Sequence, residues 1–95
     1  MLFPKWADAP RMSKSERASG RLQFLVQTLA LEHTGRSSLR SLANAVGLEH
    51  STISKAVNQG SFSEKSALQI VHRLKPRIVT PEMLMNPMSI DKTPG

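Results

Sequence analysis

Residues 39–60 read LRSLANAVGLEHSTISKAVNQG, and the fold turns on this stretch. Leu39, Leu42, Ala43 and Val46 recur at helical spacing, which makes the first part an amphipathic helix with one apolar face. Gly47 stops it. Ile53, Ala56 and Val57 repeat the spacing on a second short helix, from about His50 to Asn58, which Gln59 and Gly60 close. So few residues lie between the two helices that they must meet at a steep angle. That geometry asks for a small residue where the helices cross, which Ala43 supplies. It also asks for a residue that accepts positive φ in the turn, and Gly47 does so. Leu48, directly after it, can seal the corner against the core.

Upstream, Leu22, Leu25, Val26, Leu29, Ala30 and His33 line one face of a longer helix. On that face His33 is expected to be a packed core histidine. Thr34 and Gly35 end the helix, and Ser37 and Ser38 are good N-caps for the next one. Ser13 and Glu16 have the spacing of a capping box, which would start the first helix earlier. Gly20 weakens that extension by roughly 1 kcal/mol relative to alanine.

Downstream, Ser61 and Glu64 suggest another capping box, opening a helix through Leu74 with Ala67, Ile70, Val71 and Leu74 inward. Pro76 prevents its continuation. Thr80 and Pro81 are an N-cap and first-position pair for one short helical turn over 81–85, which Pro87 ends. No alternating run is long enough for a strand. The expected fold class is therefore all-α, with four to five short helices. A basic flexible arm at 1–18 precedes a domain at 19–86, and a loose tail at 87–95 follows. Met83, Leu84, Met85, Met88 and Ile90 form an apolar cluster outside the periodic helices; they either make a dimer surface or fill the domain's own core.

Ninety-five residues make one domain the natural expectation. Lys and Arg outnumber Asp and Glu by 13 to 7, a net charge of +6, with the largest share of the surplus in residues 1–21. A polyanion partner follows naturally, because each neutralised phosphate releases condensed counterions. A generically basic surface is the plainer alternative. The absence of cysteine excludes disulfides and thiolate chemistry. Paired acid–base carboxylates, a phosphate-cradling glycine loop and a metal-ligand cluster are also missing, so no enzyme, cofactor or metal is expected. No apolar run approaches the roughly 18 residues of a membrane span, and the first ten residues lack a signal-peptide core. No membrane partner is expected, and the expected location is the cytoplasm, at the nucleoid.

The pattern of Ala43, Gly47, Ile53 and Val57, with the Asn58–Gly60 close, resembles the helix-turn-helix of the lambda-repressor and Cro-like family. The likeness extends over about residues 21–90, with a helix before the motif, a capped helix after it and a closing segment at Val79–Leu84. The Val-Thr-Pro-Glu-Met-Leu run is also similar to the YdaS-type antitoxin branch of that family, common in prophages. The resemblance implies a sequence-specific transcription regulator, a repressor of the phage kind, that places its third helix in the major groove of double-stranded DNA. A homodimer is implied as well, since two-fold operators match two-fold proteins. The alternative is an antitoxin or protein-interaction module, whose key partner is a toxin or another protein.

The resemblance puts the DNA-facing side at His50, Ser51, Thr52, Ser54, Lys55 and Asn58. The buried phase of Ile53, Ala56 and Val57 independently leaves Ser51, Ser54, Lys55 and Asn58 outward. Base reading is assigned to His50, Ser51, Ser54, Lys55 and Asn58. Lys55 can donate to guanine O6 or N7, and Asn58 can reach an adenine edge or a phosphate, or else cap the helix end. His50 sits where that family often has a base-reading glutamine, and a neutral imidazole can donate or accept once. Backbone contacts are assigned to Arg36, Ser37, Ser38, Arg40, Thr52 and Ser61. The arm with Lys5, Arg11, Lys14 and Arg17 either trails along the duplex or is simply disordered. Glu49 departs from the pattern: its carboxylate complements the helix dipole but repels phosphate. It either accepts from cytosine N4 or turns away.

Overall fold

A computed structural model describes residues 3–90, and every regular element among them is helical. In chain order these are α1 (Lys14–Thr34), α2 (Leu39–Val46), α3 (His50–Gln59), α4 (Glu64–Leu74) and α5 (Pro81–Met85), then a 3-10 turn at Pro87–Ser89. The all-α expectation holds. None of these helices is long and apolar enough to cross a membrane.

The caps explain most boundaries. The Ser13–Glu16 capping box is formed: Glu16 N–H donates to Ser13 Oγ at 3.2 Å, and Ser13 N–H donates to Glu16 Oε1 at 2.9 Å. The hydrogen bond from the Ser13 backbone, then that from its hydroxyl, holds the Glu16 carboxyl below its ordinary pKa, so the box is ionised and complete at neutral pH. Ser38 caps α2 by accepting from Ser41 N–H, and Thr80 caps α5 by accepting from Met83 N–H. The expected Ser61–Glu64 box does not form. Ser63 caps α4 instead, accepting from Ser66 N–H, and Glu64 is the first helical residue. A serine sits at both positions, and Ser63 is the one next to the first helical residue.

The core is continuous through the helices. Leu22, Leu25, Val26, Leu29 and Ala30 of α1 meet Leu42, Ala43 and Val46 of α2, Ile53, Ala56 and Val57 of α3, and Ala67 and Ile70 of α4, with Leu84 of α5 beneath. Leu84 is fully buried, and Met83, Met85 and Ile90 pack against the same core. These four residues of the C-terminal apolar cluster thus fill the domain they belong to, while Met88 is half-buried. His33 is a correction: it is exposed, because the last turn of α1 runs past the core.

Gly20 does not interrupt α1, and its role is steric. A Cβ built there would lie 2.0 Å from the Ala7 carbonyl oxygen, so only glycine lets the N-terminal segment lie against the helix. That segment was expected to be a loose arm. Instead Ala7, Asp8 and Ala9 are buried. Asp8 receives Arg17 Nε on one oxygen, and on the other Arg21 Nε at 3.2 Å and Arg21 Nη2 at 2.9 Å. Arg21 Nη1 then donates to the carbonyls of Pro87 and Ile90 at 3.1 and 3.0 Å. Residues 87–90 are likewise not a loose tail: Pro87 is buried and Arg21 holds the segment. Residues 91–95 of the expected tail lie outside the described residues.

Gly47 adopts φ +73, left-handed as the sequence demanded, and Leu48 N–H donates to Ala43 O at 3.1 Å. From α4, Gln69 Nε2 reaches Val46 O at 2.7 Å and Gly47 O at 3.2 Å, satisfying carbonyls that the end of α2 leaves open.

Two substitutions test this account. Gly20→Ala should destabilise the domain by about 1–3 kcal/mol through overpacking, against a helix-propensity gain of roughly 1 kcal/mol. Chemical denaturation reads the balance, and an unchanged or raised stability would mean the close approach to Ala7 is not made. Gly47→Val should lower stability by about 1–2 kcal/mol or more, since a β-branched residue must enter the left-handed region. A thermal midpoint equal to wild type would show that the turn is placed wrongly.

Candidate nucleic-acid interface

α3 divides sharply by burial. Ile53, Ala56 and Val57 face the core at 0, 6 and 5% exposure, while His50, Ser51, Lys55 and Asn58 are exposed and Thr52 and Ser54 half-buried. The division follows from helical phase, with apolar side chains three and four apart taking the buried side. The residues to which the sequence assigns base reading therefore form a polar stripe, with Ser54 seated deeper than the others.

Two clefts flank α3. In one, of about 220 Å³, Thr52, Lys55 and Gln59 line the wall with Ser61 and Ser63. This brings Lys55 together with two residues assigned to backbone contact, Thr52 and Ser61. In the other, of about 370 Å³, Asn58 faces Trp6, Ser19 and Gln23. Ser19 Oγ also donates to Val57 O at 2.6 Å, tying α1 to the last turns of α3. Asn58 does not cap α3; Gly60 does so at φ +83, its N–H donating to Ala56 O and Val57 O.

Glu49 occupies the N-cap position of α3, but its side chain makes no capping bond. Its carboxylate accepts from Ser51 Oγ at 3.4 Å, which places negative charge beside the start of the stripe. Arg36, Ser37, Ser38 and Arg40 cluster at the N-terminus of α2 and are exposed. They share neither cleft with α3. The Ser38 hydroxyl is engaged in its cap and in a 2.7 Å bond with Ser41 Oγ. Among the described residues, Arg36, Arg40 and Lys55 make no ion pair, so their charges face solvent. Among the same residues no group of three or more His, Cys, Asp or Glu could hold a metal ion.

Three participants were not legible in the sequence. Trp6, 53% exposed, stands beside Asn58 because the N-terminal segment folds back on α1. Gln69 and Arg73 of α4 lie by Gly47, both within ordinary contact of a Cβ placed there. At their positions a polar residue reads as a solvent face, and only packing brings them under the turn. The chain matches no family model, and no curated protein or solved structure matches it.

Proposed function

We propose that this chain is a sequence-specific, double-stranded DNA-binding transcription regulator of the lambda-repressor and Cro-like helix-turn-helix kind, a repressor of the phage type, with α3 docked in the major groove. One observation carries the reading: a short helix buries Ile53, Ala56 and Val57 and presents His50, Ser51, Lys55 and Asn58 outward on its other side. The left-handed turn at Gly47 leads directly into it. A major groove admits one helix, and its base edges are read by such side chains. The +6 charge supplies the sequence-independent attraction.

Within this reading Lys55 donates to guanine, Asn58 reaches an adenine edge or the flanking strand, and Ser51, Ser54 and His50 complete the readout. Thr52 and Ser61, beside Lys55 in one cleft, contact the adjoining phosphates. Arg36, Ser37, Ser38 and Arg40 meet the backbone at the start of α2, where the helix N-terminus also favours an anion. The regulator acts as a homodimer on a two-fold operator.

Selection of bound sites from a random duplex library should return a defined motif with two half-sites, and affinity for it should fall steeply with salt. Binding that is absent at low salt, or insensitive to salt, counts against the reading. On the selected operator, Lys55→Ala should relax preference at one position, with about 1–3 kcal/mol of discrimination lost there. Arg40→Ala should weaken every sequence alike and reduce the salt slope by about one. Should Arg40→Ala change base preference while Lys55→Ala leaves it intact, α3 is not the reading helix.

A further inference from the structure

A groove of about 590 Å³ lies between the C-terminal half of α1 and the connector 75–79 that joins α4 to α5. Phe24, Leu25 and Leu29 form one wall, and Pro76, Ile78 and Val79 the other. Its apolar surface continues beyond the groove, because Phe3 and Trp6 stack edge-on against Phe24 with ring centroids 5.6 and 6.2 Å away. Ile78 stands on the lip at 71% exposure. Exposed apolar side chains scattered singly are ordinary, but a contiguous set around a concavity marks a surface that meets another molecule.

The charges around the groove select the partner. Glu32 lies on the α1 wall, and Lys75 and Arg77 lie on the connector wall. All three are exposed, and among the described residues none is in an ion pair. An acidic partner would leave Glu32 facing like charge, and a basic one would do the same to Lys75 and Arg77. A surface with acid on one wall, base on the other and a protruding side chain at one lip is complementary to itself. That is the requirement of a two-fold interface, where residue i meets j and j meets i.

We propose that this groove is the surface on which two copies of the chain pair. One two-fold operation seats Ile78 of each copy in the groove of the other and sets Glu32 of each against Arg77 and Lys75 of the other. The surface differs from Met83, Leu84, Met85 and Ile90, which pack into the domain's own core. Pairing here needs no DNA. It deepens the operator reading by naming the dimer face, yet oligomeric state is measured without DNA, so the two fail separately.

The test is sedimentation equilibrium of the full chain, without DNA, over a wide range of concentrations. The wild type should show a reversible monomer–dimer equilibrium. Ile78→Asp should weaken it by about tenfold or more, as expected for a central apolar anchor, and Ile78→Ser should act in the same direction. Glu32→Arg and Arg77→Glu should each weaken pairing, and the double reversal should recover most of the loss. All these positions are exposed, so circular dichroism of the monomeric variants should match wild type and serve as the control for folding. A wild type that stays monomeric at every concentration leaves the groove to another occupant and overturns the proposal. So does a dimer whose dissociation constant Ile78→Asp does not change. A double reversal no tighter than either single one overturns the register of the charges.

Discussion

The aim of α3 depends on one backbone conformation, the left-handed turn at Gly47. With φ at +73 the chain leaves α2, makes the Leu48-to-Ala43 hydrogen bond and enters α3 directly through Leu48 and Glu49. Ala43, 2% exposed, has no bulk to push the helices apart. Gln69 then holds the corner from α4 by donating to two successive carbonyls. These contacts act together: the glycine permits the bend, the alanine permits the approach, and the glutamine satisfies polar groups that the bend exposes.

A second constraint is electrostatic. Arg21 is 3% exposed, and a buried guanidinium must be paired and hydrogen-bonded or the domain carries several kcal/mol of desolvation. Asp8 pairs with it, the carbonyls of Pro87 and Ile90 accept from its Nη1, and the Phe3 ring covers it with its centroid 4.9 Å from the guanidinium carbon. One residue of α1 thereby gathers segments from both ends of the described chain. Removing Asp8 alone would leave the charge uncompensated, the kind of change that costs about 3–5 kcal/mol. The same tie positions Trp6 beside Asn58, so the surroundings of the α3 stripe depend on a charge pair that does not belong to it.

The polar stripe and the apolar groove share no residue. The stripe occupies a short helix whose orientation is fixed at both ends, by Gly47 before it and by Ser19 and Gly60 at its close. The groove lies along α1 and the connector after α4, where Lys75 takes φ +50 and Pro76 follows. Trp6 nonetheless stands at the edge of both, lining the cleft that holds Asn58 and stacking edge-on against Phe24 of the groove wall. Two copies joined through one would present the other in duplicate, the arrangement that two half-sites require.

Local rules carried much of the architecture. Helical spacing placed the core faces of α1 to α4, glycine placed the turn, and the serine and threonine caps placed several boundaries within a residue or two. The outward phase of Ser51, Lys55 and Asn58 was legible for the same reason: on a short helix, which residues are apolar determines which are left out. Local rules failed where a residue's partner is distant in sequence. Gly20 looked like a weak point of a helix, but its missing Cβ makes room for Ala7. His33 kept the apolar period yet lies beyond the core that would have covered it. Asp8 and Arg21 counted only toward net charge, though their pairing binds the N-terminal segment to α1. Periodicity and capping are interactions within a few residues and can be read from order alone. Close approach, the burial of a charge and the lining of a groove join residues far apart in the chain, and only their packing in three dimensions decides them.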